Sequence, residues 1–490
     1  MTLRLRSSLF LAATLAIVPA ALAQPRGGAP APAPKQPAPV AKQPAPTAED
    51  MDTFQRDLDT LFKAGGLTAE QAAQRAVAAS PTVRKSAANI DVAIAQAEAA
   101  EYLRVPQVTA GFAYTRLSHI DPVGFDLDGA GPMPPIVLAP SIVNTYAATA
   151  RVNVALSDYV LRYPKLIEAA NLGREVARVS RRSSEVDASQ DARVSYYEWV
   201  RSKLQVLIAE RQLTNVKTTV EQVRALADVQ RVSRADLLRV ESNESQAEQA
   251  VIQLRLLSQL REEQLRLLID EPANTPLAIG EDIRADMTAP EMAQLDDALK
   301  TAHEKRLDFQ VLDKGIQAKE KQREGEKAAY YPRLSAFGAA EYSDPNQRIF
   351  PQKQQFDFTW SAGLQVSWAL NDALIAGTTQ RRLEGETNSL RADRENLDRG
   401  TRIQILAAQQ AVANAKSALE TSAAGLAASE EGYRVRRELL NAERATAVEL
   451  VDAETDLTRA RIAALNARVD LRVALAELSH AVGNDTASAK

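Results

Sequence analysis

Runs of strictly alternating polarity stand between long helical patterns, and the arrangement is written twice along the chain. In the first run Val108, Ala110, Phe112 and Tyr114 face one way, and Thr109, Gly111, Ala113 and Thr115 the other. In the second, Tyr146, Ala148, Ala150, Val152, Val154 and Leu156 oppose Thr149, Arg151, Asn153 and Ser157. A third runs from Leu334 to Tyr342. The clearest sets Phe356, Phe358, Trp360, Ala362, Leu364, Val366, Trp368 and Leu370 against Asp357, Thr359, Ser361, Gly363, Gln365, Ser367 and Asn371. A period of two predicts strands with two unlike faces, at about 106–119, 144–158, 332–343 and 355–371.

Elsewhere the period is helical. Leu67 to about Leu103 predicts helix, interrupted at Ser80-Pro81 and stopped by Pro106. A Gly/Pro-rich loop from about Asp121 to Pro140 separates the first two strands. Leu161 to about Asp228 reads as one helix with Pro164 in its first turn, roughly 100 Å long at 1.5 Å per residue. A break near Gln230 to Ser233 precedes a second helix to about Asp270. In the later part a helix ends before Pro332, and long helices run to about Leu440 and from about Thr446 to Ala481.

Short signatures recur in the same order. Val105-Pro106-Gln107-Val108-Thr109-Ala110 returns as Tyr331-Pro332-Arg333-Leu334-Ser335-Ala336. Val154-Ala155-Leu156-Ser157-Asp158 returns as Val366-Ser367-Trp368-Ala369-Leu370-Asn371-Asp372, aligned on the Asp. Ser233-Arg234-Ala235-Asp236-Leu237-Leu238 returns as Thr446-Ala447-Val448-Glu449-Leu450-Val451. Three matches in order point to an internal duplication. The expected organisation is a repeat at 51–271, a connector at 272–290, a second repeat at 291–483 and a short tail at 484–490. The first strand loop is about twelve residues longer than the second, a change of the kind that exposed loops absorb.

The strands admit two readings. In a soluble sandwich the apolar face turns inward; in an outer-membrane barrel it meets lipid and the small polar face lines a wet lumen. Strands of about twelve residues can cross a bilayer when tilted. Aromatic residues sit toward the strand ends (Tyr146, Phe356, Phe358, Trp368), as in an interfacial girdle. The membrane reading makes Phe358, Trp360, Leu364, Val366 and Trp368 a lipid-facing surface. Four strands cannot close a barrel and lipid tolerates no open edge, so that reading also requires an oligomer. The final helix carries two apolar stripes: Val448, Val451, Thr455, Ile462, Leu465, Val469, Val473 and Ala476, and then Leu450, Leu457, Ala464, Leu471, Leu475 and Leu478. Two stripes suit a helix flanked on both sides in a cylinder wall; a bundle with one broad apolar face is the other reading.

The termini and composition narrow the setting. Arg4 and Arg6, the apolar stretch Leu9 to Val18 and Ala21-Leu22-Ala23 predict a signal peptide over 1–23. A Pro/Ala-rich stretch over 24–50 predicts a disordered linker. There is no Cys, hence no disulfide, thiolate site or lipoprotein anchor. A net charge of −4 and the lack of any nucleic-acid motif argue against nucleic acid as partner. His119, His303 and His480 fall in separate elements, and no phosphate loop or nucleophile elbow occurs. Neither a cofactor, a metal nor an enzymatic activity is expected.

Taken together, the Pro-led strand starts (Pro106, Pro332), the strand-to-helix junctions ending in Asp158 and Asp372, and the stretches Val232–Leu238 and Ala445–Ala453 closely resemble the TolC-like outer-membrane efflux proteins, over about Leu67 to Gly483. The resemblance implies a mainly α-helical chain with a membrane β-barrel part. Three chains form a homotrimer with a twelve-stranded β-barrel in outer-membrane lipid, continued by a long α-helical barrel across the periplasm. Its tips meet a periplasmic adaptor (membrane fusion) protein, which links the duct to an inner-membrane pump of RND, ABC or MFS type. The implied localisation is the cell outer membrane, extending into the periplasm, and the implied role is the passive exit duct of a tripartite efflux or type I secretion system.

Carried over by position, Gln230, Arg231, Val232, Ser233 and Arg234 form one adaptor-contacting tip, and Glu443, Arg444, Ala445 and Thr446 the other. Asp236, Glu449 and Asp452 match acidic positions used by some members as a periplasmic gate; each also reads as an ordinary first-turn carboxylate favoured by the helix dipole. Gln230 and Glu443 stand where Gly is frequent, and Ala445 where a basic residue is frequent. The alternative from another class is an exported periplasmic coiled-coil structural or adaptor protein, whose Phe356–Leu370 face would need a soluble core partner.

Overall fold

A computed structural model describes residues 56–120, 123–125, 136–139, 142–273, 275–285, 287, 293–350, 352–442 and 444–487. All of them belong to the unit Ala48–Lys490. The expected signal peptide and linker, and the tip residue Glu443, lie outside the described residues.

The described elements, in chain order, begin with β1 (Phe62–Leu67), α1 (Ala69–Ala79), α2 (Pro81–Tyr102) and β2 (Gln107–Arg116). A short hairpin, β3 (Val123–Phe125) and β4 (Ile136–Ala139), precedes β5 (Asn144–Val154), the single-turn helix α3 (Leu156–Leu161) and the long α4 (Tyr163–Asp228). After α5 (Arg234–Ile269) come α6 (Leu295–Lys305), α7 (Leu307–Glu326), β6 (Arg333–Asp344) and β7 (Asp357–Ser367). The chain closes with α8 (Leu370–Asn441) and α9 (Ala447–Val482). Both α4, with 66 residues, and α8, with 72, extend for about 100 Å.

Four strands form one antiparallel sheet in the order β2-β5-β6-β7, so β2 and β7 are its edges. The register aligns the alternation of every strand. Val108, Ala110, Phe112 and Tyr114 pair with Val152, Ala150, Ala148 and Tyr146. Leu334, Ala336, Ala340 and Tyr342 pair with Val366, Leu364, Trp360 and Phe358. A one-residue slip would mix the two faces, so the sequence pattern fixes the pairing.

The helices stack along the long ones. One half of α4 packs against α1, α2 and α7, and the other against α5; α8 likewise meets α7 and then α9, and α9 also packs on α4. The main core lies midway, where Tyr196, Trp199, Val200 and Leu204 of α4 meet Ala72 and Ala76 of α1, Leu265 and Ile269 of α5, and Val469 of α9. β1 joins this core through a parallel bridge to Ile279 in the connector. There Gly66 and Gly280 approach so closely that a Cβ on Gly280 would sit 2.2 Å from the Gly66 carbonyl oxygen, so no other residue type fits without a backbone shift.

Several boundaries differ from expectation. The strands predicted to reach 158 and 371 end at Val154 and Ser367, because Leu156-Ser157-Asp158 and Leu370-Asn371-Asp372 open helices, with the Asp in the first turn where the helix dipole favours it. Trp368 therefore follows the strand rather than belonging to it. Leu67 lies in β1 and not in the following helix, which starts at Ala69 behind the N-cap Thr68, joined to Gln71 in a capping box. The predicted loop between the first strands contains the β3–β4 hairpin.

Candidate functional site

Two regions carry the sequence-predicted residues: the sheet and the two helical turns at the opposite end of α4 and α8.

On the sheet, one face is apolar throughout and exposed: Phe112 is 72% accessible, Trp360 68% and Leu364 70%, with Phe358 and Val366 comparable. Toward one end Tyr114, Tyr146, Phe356 and Tyr342 form a chain of rings with centroids 5.0, 6.2 and 5.2 Å apart. At the end that joins the helices, Tyr331 and Trp368 are exposed. Rings at both rims of an apolar band are the distribution that membrane interfaces favour. The opposite face carries Thr109, Thr149, Arg151, Asn153, Ser335, Glu341, Thr359 and Gln365. Among the described residues no helix is long and apolar enough to cross a membrane.

The first turn ends α4 with a Schellman arrangement. The Gln230 N–H donates to Ala227 O and the Arg231 N–H to Leu226 O, each at 2.9 Å. Gln230 occupies the glycine position of that motif with φ 59°, a left-handed backbone adopted by a non-glycine residue. Ser233 then caps α5: its hydroxyl accepts from the Asp236 N–H and donates to the Asp236 carboxylate at 2.7 Å. The second turn is built alike. The Arg444 N–H reaches Leu439 O at 2.8 Å, and Thr446 forms a reciprocal capping box with Glu449. Asp236 and Glu449 are thus each engaged by their own N-cap.

Asp452 points elsewhere. It faces Arg239 of α5 at 3.8 Å, with both side chains 60% exposed. The two turns are neighbours: Val216, Val220 and Val223 of α4, Val240 of α5, and Ala447 and Val451 of α9 form one apolar cluster, with Val232 and Leu237 against it. Arg234, Arg444 and Thr446 are exposed around this cluster, and Ala445 is half-buried.

Reasoning from sequence missed Glu454, which is 2% exposed and among the largest fully buried side chains. Neither carboxylate oxygen has a hydrogen-bond partner. Burial pushes its pKa up to about 7, against the opposing pull of Asn215, Arg437 and Arg461. The signal was present: Glu454 interrupts the Leu450–Leu457 stripe at helical spacing. Among the described residues no three His, Cys, Asp or Glu side chains converge as a metal site.

No family model and no curated protein matches the chain. Solved structures do. CusC, described in terms of transmembrane channel formation, superposes with a TM-score of 0.71 at 14% identity, over 86% of this chain and 93% of that one. The outer-membrane channel OprN gives 0.70 at 16%, over 86% and 94%. The Neisseria gonorrhoeae MtrE outer-membrane channel in its open state gives 0.66 at 16%, over 85% and 88%. The fold is that of outer-membrane channels. At this level the expected likeness to TolC-like proteins holds, and it spans nearly the whole described chain.

Proposed function

We propose that this protein is the outer-membrane exit duct of a tripartite efflux or type I secretion system. The observation that carries this reading is the sheet: its apolar face is exposed, none of the described residues covers that face, and its edges β2 and β7 are bare. A soluble sandwich would bury such a face, and the alternative of a periplasmic coiled-coil protein needs a core partner for it. A lipid environment needs none, provided the edges are met by other strands.

Three copies of the four-stranded sheet close a twelve-stranded barrel. The helices support the same assembly. On α5, Ile252, Leu256, Leu260 and Leu267 recur on one helical face and are exposed, which fits burial against a second copy. The element order helix, two strands, long helix and shorter helix occurs before and after the connector, in keeping with duplicated halves. Helices of about 100 Å below the sheet suit a conduit through the periplasm, and the turns at their far end suit an adaptor linked to an inner-membrane RND, ABC or MFS-type pump. Asp452, exposed beside Arg239, is our candidate for a carboxylate ring at the periplasmic entrance; Asp236 and Glu449 are the flanking candidates. Transport is passive, and the duct performs no chemistry.

Membrane fractionation followed by planar-bilayer recording tests the reading. The expected result is a detergent-extracted, heat-modifiable oligomer in the outer membrane that forms discrete conducting channels. A buffer-soluble periplasmic monomer overturns it.

A further inference from the structure

The seam between α4 and α9 is a ladder of side chains running up from the tips. Its lowest part is apolar, Val216, Val220 and Val223 against Ala447 and Val451. Higher up, the Gln205 amide donates to Asn466 at 3.0 Å, and above that Arg201 pairs with Asp470. Between the apolar cluster and these closed polar rungs stands Glu454, one turn beyond Val451. The Asn215 amide of α4 faces it without closing a hydrogen bond, and both carboxylate oxygens are unpartnered.

The charges that act on Glu454 are cations: Arg437 from α8 and Arg461 from α9 itself. Both have other engagements. Arg437 lies over the Tyr433 ring at 6.0 Å, and Arg461 sits 3.9 Å from Glu430. α4 contributes the neutral Asn215. An ionised carboxylate held here is buried with no hydrogen bond to either oxygen and only cations already engaged elsewhere near it, a situation that proteins relieve by protonation or by movement.

We propose that Glu454 is a proton-operated latch on the α4–α9 seam. With the carboxyl protonated the seam stays shut. With it ionised, the carboxylate draws in water and turns toward Arg437 and Arg461, and the seam parts just above the tips. The group takes up or releases one proton, so no other reactant is involved. The link to conduction, a wider periplasmic end of the duct as pH rises, rests on the proposed duct function; the latch itself does not.

The sign follows from linkage. A carboxyl whose pKa is raised to about 7 in the shut state binds more protons there than in the parted state. Parting therefore grows roughly tenfold per pH unit above the ordinary carboxyl range and levels off once the shut-state pKa is passed. Hydrogen exchange on the full detergent-extracted protein tests this, reading protection over residues 447–457 and 216–223 after division by intrinsic exchange rates. In the wild type, protection should fall roughly tenfold per unit between about pH 5 and 7 and then flatten. Glu454→Gln, neutral and nearly isosteric, should be flat throughout. A flat wild type, or equal slopes in both proteins, overturns the latch, and the wild-type series decides even if the variant fails to fold. Bilayer recordings in parallel separate the two claims. A pH-dependent seam without conductance keeps the latch and sinks the duct; conductance with a pH-indifferent seam does the reverse.

Discussion

Phe337 lies against Gly363 across the β6–β7 pair, so close that a Cβ built on the glycine would meet two ring carbons at 3.1 Å. The ring covers the strand where the glycine offers no side chain of its own, a pairing that supports a weak strand position. Gly363→Val should force the ring aside and destabilise the sheet by about 1–3 kcal/mol, the range for overpacking a filled site. Gly338→Ala, whose added Cβ meets nothing within 4 Å, is the matched control and should change little. The temperature at which the assembled form is lost on a gel reads both.

The two faces of β7 should tolerate charge unequally. Leu364→Arg should abolish assembly, since a lipid-facing Arg near mid-bilayer costs about 2–4 kcal/mol and every copy repeats it. Gln365→Arg, one residue on and on the polar face, should assemble and alter conductance. Equal tolerance at both positions would invert or refute the barrel.

The alternation that motivates this test was fully legible in the sequence, as were the long helices and both turns, because period and proline placement act locally. The ends of the strands were not. Leu156 and Leu370 extend the alternating pattern, yet they begin helices, since the Asp two residues on favours a helix start. β1 was invisible for a different reason: Phe62–Leu67 is strand only because Gly280 lies beside it, far along the chain. For the candidate gate residues the turn positions were readable but the partners were not, because the capping contacts of Asp236 and Glu449 and the Asp452–Arg239 contact form only in the folded chain.

Gln230→Gly should stabilise the first tip. A non-glycine residue in the left-handed region costs about 1–2 kcal/mol, partly offset by the extra freedom glycine has when unfolded. The expected gain is about 0.5–1 kcal/mol, seen as slower proteolysis at the tip. A loss of stability would mean that the Gln side chain makes a contact worth more than the backbone strain.

The end of α9 should favour mild acid. His480 Nδ1 meets Asp485 at 2.7 Å and Nε2 lies 3.8 Å from Asp187 of α4. The Asp485 hydrogen bond raises the His480 pKa above its usual value, against the opposing effect of burial, and burial raises that of Asp187. Both shifts act in one direction. The stabilisation from charged His480 is complete below the unfolded pKa near 6.5 and is lost as pH rises through the raised folded value. Asp187 likewise takes up its proton more readily when folded. Thermal stability should therefore decline from weakly acidic to weakly alkaline pH, and His480→Ala should flatten that slope.

Asp452 should govern ion preference. In the proposed duct, three symmetry-related carboxylates in a narrow throat would attract cations. Wild-type conductance should be low, cation-selective and sensitive to multivalent cations. Asp452→Ala should weaken both selectivity and block without lowering oligomer yield, because the exposed contact to Arg239 adds little stability. Unchanged selectivity in that variant would remove Asp452 from the entrance.

The unpaired edges of the sheet make its completion a matter of kinetics as well as structure. Among the described residues β2 and β7 find no partner within their own chain's sheet, so in the oligomeric barrel proposed above the last hydrogen-bonded ladders would form by collision between molecules, and that final step would have a reaction order above one. Dilution slows such a step where it would leave an ordinary single-domain protein untouched. The yield of finished protein should therefore climb more steeply than the rate of synthesis, and a chain made too sparsely should remain an intermediate with its strands exposed.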